Sequence, residues 1–301
     1  MDERPIGMFD SGFGGLTVAR AVIDLLPAEH LVYFGDTGRY PYGPRPQGEV
    51  ARFAAEITDL LVERHDAKLV IVACNTASAA ALDELVERTE VPVLGVIDAG
   101  VRALVQATRS GRVGVIGTVG TIGSGAYQRA VAQVTSASSP EGDGAGGRSP
   151  RGKSVELTCA ACPGFVEFVE RGQTRGDEVT VLAERLLAPV MEAKVDTLLL
   201  GCTHYPYLAR IIGDVLGPSV VLVSSAEETA FEVRRLLAED RRALARGPAG
   251  EPGRHRFLSS GDVSWFRDLG SRLLGPELAA AEAHRWPSEG GPEGGPEGRL
   301  A

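Results

Sequence analysis

The sequence predicts an α/β fold on mainly parallel strands, and three observations carry that prediction. Short apolar runs alternate with helix-length amphipathic stretches along most of the chain. The apolar runs are unbroken rather than alternating, as strands covered on both faces are. Small polar residues, carboxylates and thiols follow the ends of these runs, the edge at which open α/β sheets bind ligands.

Taken in order, strands are expected at 6–9, 31–35, 69–73, 93–96, 113–116, 198–200 and 220–223, and helices at 17–26, 48–65, 77–88 and 178–193. Strands spaced by helices imply right-handed crossover units. The first strand leads into Asp10-Ser-Gly-Phe-Gly-Gly-Leu16, and the second into Asp36-Thr37 and then Tyr40-Pro-Tyr-Gly43. The third leads into Cys74-Asn-Thr-Ala-Ser78, the fifth into Gly117-Thr-Val-Gly-Thr121, and the sixth into Gly201-Cys-Thr-His-Tyr-Pro206.

Bulk properties narrow the class. The 301 residues suffice for one large or two modest domains, and 44% hydrophobic residues supply ample core. A net charge of -9 argues against a nucleic-acid surface, so no nucleic-acid partner is expected. No apolar run approaches the roughly 18 residues of a membrane span, and the charged N-terminus does not read as a signal peptide. A cytoplasmic protein is expected, with its four cysteines as free thiols. Residues 135–153, rich in Ser, Gly and Pro, read as a flexible insertion, 247–253 as a loop, and the Gly-Pro-Glu tail 287–301 as disordered.

The Cys74 and Cys202 segments look alike: an apolar strand, a small residue, the cysteine, a polar donor, then a helix. A thiol just before a helix N-terminus is favoured as thiolate, because unpaired N–H groups and the helix dipole stabilise the anion. A buried free cysteine is often only a small apolar residue; two in matching contexts point to a paired function. His204, two residues after Cys202, reads as a core histidine, a metal ligand or an acid/base, its side chain leaving the strand end in a direction similar to that of Cys202. His30, His65, His255 and His284 read as surface residues.

Other motifs weigh less. The glycines at 12, 14 and 15 miss the dinucleotide spacing, no Lys-Ser/Thr pair makes a P-loop, and Asp10 would repel phosphate. Glycines there let the backbone come close to a small ligand. Cys159-Ala-Ala-Cys162 has redox or zinc spacing but no second ligand pair, so it reads as structural, and no metal is expected.

Seven ordered segments together resemble the glutamate racemase family within the cofactor-independent aspartate/glutamate racemases. They are the Asp10-Ser11 loop, Asp36-Thr37 with Pro41-Tyr42-Gly43, Cys74-Asn75-Thr76, Gly117 to Thr121, Cys162-Pro163 through Glu170, Cys202-Thr203-His204, and Arg256 to Asp262. The resemblance implies two similar α/β lobes, each a mainly parallel sheet flanked by helices, closing on the substrate. Carried onto this chain, lobe one is 1–97 plus 225–286 and lobe two 98–224.

It also implies interconversion of L- and D-glutamate without cofactor or metal, supply of D-glutamate for peptidoglycan, and a homodimer. Cys74 and Cys202 would be the acid/base pair, with Asp10 assisting Cys74, and Glu170 and His204 assisting Cys202. Asp10, Ser11, Tyr42, Gly43, Asn75, Thr76, Thr121, Thr203 and His204 would hold the substrate. The chemistry fits: racemisation removes a proton from one face of Cα and returns one to the other, so one group must be thiolate while its opposite is thiol. The chain departs from the family at Asp98-Ala99, where Glu-Pro is common. Rival readings are a racemase or isomerase of the same group acting on aspartate, a hydantoin or maleate, and a hydrolase needing one thiol and a His base.

Overall fold

The computed structural model describes residues 2–136, 154–239 and 251–287. Its strands are β1 (Ile6–Asp10), β2 (Leu31–Gly35), β3 (Leu69–Val72), β4 (Val93–Gly95), β5 (Arg112–Gly117), β6 (Glu156–Ala161), β7 (Thr197–Gly201), β8 (Val221–Ser224), β9 (His255–Ser259) and β10 (Glu282–Ala283). Two sheets result, in the orders β10-β9-β2-β1-β3-β4 and β6-β5-β7-β8, and every pairing is parallel. The fold is α/β, as the sequence predicts. Sheet one takes strands from both ends of the chain and sheet two from its middle, so the chain crosses between the sheets twice.

The helices are α1 (Leu16–Leu25), α2 (Gln47–Asp59), α3 (Asn75–Arg88), α4 (Ile97–Ala107), α5 (Val119–Gly123), α6 (Ala126–Ser136), α7 (Phe165–Glu170), α8 (Asp177–Glu192), α9 (Ala209–Leu216), α10 (Ser225–Glu239) and α11 (Val263–Leu274). A π-helical turn, Leu60–Arg64, extends α2 and completes the long helix expected there.

The unbroken apolar runs are explained by cover on both faces. On sheet one, Ile6, Met8, Tyr33, Leu69 and Ile71 pack toward α1, α10 and α11, while Phe9, Val32, Phe34, Val70 and Val72 pack toward α2 and α3. On sheet two, Ile116, Leu198 and Leu200 face α8 and α9, and Val113, Val115 and Leu199 face α4 and α6.

All seven expected strands form. The unexpected ones, β6, β9 and β10, lie at or near sheet edges, where only part of the strand is buried and the apolar signal weakens. Thr135 and Ser136, expected in the insertion, close α6 instead. The rest of the insertion, 137–153, lies outside the described residues, as do loop residues 247–250 and the tail beyond Pro287. His30, His65, His255 and His284 are half-buried rather than on the surface. Burial lowers the pKa of the last three. No helix among the described residues is long and apolar enough to cross a membrane.

Candidate active site

The C-terminal ends of both sheets meet at a cavity of about 100 Å³. Nine expected site residues line it: Ser11, Tyr42, Gly43, Cys74, Asn75 and Thr76 from sheet one, and Cys202, Thr203 and His204 from sheet two. Asp10, Glu170 and Thr121 stand one layer back, each bonded to a lining residue.

Cys74 ends the β3 run and caps α3, its sulfur accepting from the Ala77 N–H at 3.5 Å. Its thiol also reaches the Ser11 hydroxyl at 3.8 Å. The helix N-terminus does not make it a thiolate. Burial pushes the Cys74 thiol up to about 12 and the Asp10 charge adds to the rise, while the Ala77 N–H only partly opposes them. Desolvation outweighs the helix end at this position.

Asp10 is fully buried at the end of β1. Its Oδ1 accepts from the Gly12 N–H at 2.8 Å, and its Oδ2 from the Thr203 hydroxyl at 3.2 Å, which ties the two sheets together across the cavity.

Cys202 follows β7, and a turn and a 3-10 segment, Tyr205–Leu208, separate it from α9. Its partner is therefore a side chain rather than a helix end. The Cys202 sulfur lies 3.9 Å from His204 Nδ1, and His204 Nε2 lies 3.2 Å from Glu170 Oε1 at the end of α7. Burial opposes charge on His204, but hydrogen bonding to Cys202 and Glu170 prevails, and its pKa is raised to about 10. The imidazole is thus biased toward its cationic form, between the Cys202 sulfur and the Glu170 carboxylate.

The remaining lining groups form a polar collar. Asn75 donates through Nδ2 to the Tyr127 hydroxyl at 2.8 Å, and its buried Oδ1 has no partner. Thr76 bonds Thr118 and Thr121, each at 3.1 Å, and Thr118 and Thr121 bond each other at 2.9 Å. Gly43 accepts the Gly120 N–H at 3.0 Å, and the Tyr42 hydroxyl donates to Asp36.

Other residues also line the cavity without a role in the sequence reading, among them Tyr40, Thr118, Cys162, Glu167 and Tyr205. Thr118 and Tyr40 sit within quoted motifs, and Cys162 belongs to a Cys-x-x-Cys pair whose other member, Cys159, is half-buried within β6. All four cysteines are free.

Residues 12–231 match the family described as Asp/Glu/Hydantoin racemase. The chain belongs to that family. Relatives named glutamate racemase place it among the isomerases that act on amino acids. One from Parafrankia sp. (strain EAN1pec) is 52% identical over 280 residues, covering 93% of this chain and 94% of the relative. Another, from Acidothermus cellulolyticus, is 49% identical, covering 92% and 98%. Among solved structures, glutamate racemase isoform RacE1 from Bacillus anthracis superposes with a TM-score of 0.83 at 37% identity, covering 96% of this chain and 99% of that one. The Francisella tularensis glutamate racemase in complex with D-glutamate superposes with a TM-score of 0.81 at 31% identity, covering 96% and 99%. Family membership decides for a racemase over a one-thiol hydrolase.

Proposed function

We propose that this enzyme interconverts L- and D-glutamate by proton transfer at Cα between Cys74 and Cys202, without cofactor or metal. The observation that carries the reading is a pair of buried thiols, one from each sheet, facing a single cavity. The relatives' shared name and the D-glutamate in the Francisella tularensis structure support glutamate as substrate.

One thiolate removes the α-proton and the opposite thiol gives its proton to the other face, so each turnover exchanges the two protonation states. His204, held by Glu170, lies against the Cys202 sulfur and is placed to assist proton transfer there. At Cys74 the cost of ionisation is desolvation, and the substrate's α-ammonium brings the positive charge that offsets it. Asp10 supports the Cys74 side. Donors at the α-carboxylate must stabilise the carbanion, and Asn75, Thr76 and Thr203 are suited to this. Asn75 Oδ1 is free to accept from an ammonium group. Ser11, Tyr42, Gly43 and His204 complete the substrate contacts, while Thr121 acts through Thr76 and Thr118.

The reading extends to lobe boundaries of 1–97 plus 225–286 and 98–224, to a cytoplasmic homodimer, and to D-glutamate supply for peptidoglycan and hence cell shape. The test is the purified protein in deuterated water with glutamate, aspartate and alanine side by side and no added cofactor. Glutamate alone should exchange its α-proton and lose optical rotation. Absence of both changes sinks the reading, and preference for aspartate moves the substrate within the family.

A further inference from the structure

Tyr40 follows β2 on the sheet-one side of the cavity, while His204 and Glu170 belong to the sheet-two side. Its ring centroid lies 6.5 Å from that of the His204 imidazole, with the planes tilted by 35°. A methyl group added at Gly12 would stand 3.5 Å from Tyr40 Cδ2 and 3.9 Å from Glu170 Oε1, so the ring and the carboxylate share one wall. The Tyr40 hydroxyl is buried and makes no hydrogen bond of good geometry, yet it stands near enough to the Glu170 carboxylate to interact with it.

A buried hydroxyl left unpaired is destabilising, and a native chain that retains one generally supplies its partner in another state. The acceptor in reach is Glu170. Burial raises the Tyr40 pKa far above its usual value, and the Glu170 carboxylate, ahead of Glu167 and Cys202, raises it further. A phenol held so far from ionising keeps its proton, and toward a carboxylate it can only donate. The charged and titratable groups around His204 are Cys202, Glu170 and Asp10, and of these Glu170 is the one that shares a wall with Tyr40.

We propose that Tyr40 is a positioning residue for the Cys202 side of the reaction. As the two halves close, its hydroxyl donates to the Glu170 carboxylate and fixes it on His204 Nε2, while its ring keeps water from the imidazole. The inference rests on the acid/base roles proposed above. It adds that a residue from the opposite half completes the Glu170–His204–Cys202 line, so the line is fully formed only with the cleft shut on substrate.

The test is Tyr40→Phe, which keeps the ring and removes the hydroxyl, beside Glu170→Gln and the double variant. Loss of one hydrogen bond to a carboxylate should lower kcat for glutamate about tenfold. KM should stay within about twofold, as expected for a group that does not touch substrate. The His204 imidazole, titrated by nitrogen-15 NMR with and without glutamate, should ionise at a midpoint about one unit lower in Tyr40→Phe. The double variant should be no slower than Glu170→Gln alone, because the hydroxyl acts through that carboxylate.

Full kcat with an unmoved His204 titration overturns the inference, as do independent, multiplicative losses in the double variant. If the wild-type protein fails to racemise glutamate, the functional reading falls, and the His204 titration still decides the contact by itself.

Discussion

Replacing Gly14 by alanine should cripple the enzyme while leaving it folded. A Cβ at Gly14 would stand 2.2 Å from Thr203 Oγ1, 2.5 Å from His204 Nδ1 and 2.8 Å from His204 Cε1. Real contacts of this kind stay above 3.0 Å, so relieving the worst overlap moves something by ~0.8 Å. The glycine loop cannot retreat. The Gly14 carbonyl is held by Thr17 through its N–H at 3.1 Å and its hydroxyl at 2.9 Å. A Cβ at the next residue, Gly15, would already lie 2.6 Å from Asp10 Cβ and 2.8 Å from the Tyr33 hydroxyl, so the backbone there is closely confined. The displacement therefore falls on Thr203 and His204, the groups beside Cys202. A misplacement near 1 Å costs about 10²-fold in a positioned reaction. The strain itself is worth about 1–3 kcal/mol, as for other overpacked sites. Polarimetry on D- and L-glutamate measures the first quantity and a circular-dichroism melt the second. Wild-type kcat/KM in a folded Gly14→Ala protein would refute both the contact and the role given to the groups it displaces.

Cys74→Ala and Cys202→Ala should each lower racemisation by at least about 10²- to 10⁴-fold, the usual contribution of a positioned acid or base, and full activity in either points to a one-thiol mechanism. Burial raises the pKa of Cys74, Cys159 and Cys162 to about 12, 11 and 12. Unfolded thiols ionise near ~8.5, so this contribution to stability is intact below that pH and is lost as pH rises through the folded values. Tm measured from pH 7 to 10.5 should accordingly fall above pH ~8.5, less steeply in Cys162→Ala, and a flat profile contradicts the burial argument. Asp196 accepts from the Thr108 hydroxyl at 2.6 Å and from the Arg109 and Ser110 N–H groups at 2.9 and 2.6 Å. Asp196→Ala should cost about 2 kcal/mol in a denaturant titration and leave kcat unchanged. Trp286 donates to Asp36 at 3.0 Å and its ring lies 4.0 Å from the Arg39 guanidinium, while Asp36 holds the Tyr42 hydroxyl. Trp286→Ala should raise KM about fivefold, roughly 1 kcal/mol of substrate binding, and an unchanged KM detaches that stack from the site.

The sheet centres were legible in the sequence because burial on both faces leaves no polar residue to interrupt runs such as 69–72. β6 and β9 were not, since Glu156, Thr158, His255 and Arg256 face partly to solvent and break the signal. The two thiols were legible for a local reason: each ends a strand with polar neighbours next in the chain. Tyr40, Thr118 and Cys162 were not, because what gives them meaning comes from the far side of the cavity, many residues away. The state of the Cys74 thiol was misjudged for the same reason. A sequence displays the helix that follows the cysteine, but not the Asp10 charge and the apolar walls that fold around it.

The cavity of about 100 Å³ has a consequence for traffic. Small-molecule sites ordinarily begin near ~300 Å³, so the space between the two sheets is narrow for a ligand. An amino acid needs more room than this, so the two sheets must shift to admit it and shift again to release it. The latch is identifiable: Thr203 to Asp10, Thr76 to Thr118, and Gly120 with Gly43 all bridge the two sheets. The bonds that keep water from a carbanion are thus the ones that set the pace of entry and exit. Loosening them would trade retention of the reactive intermediate for speed of exchange.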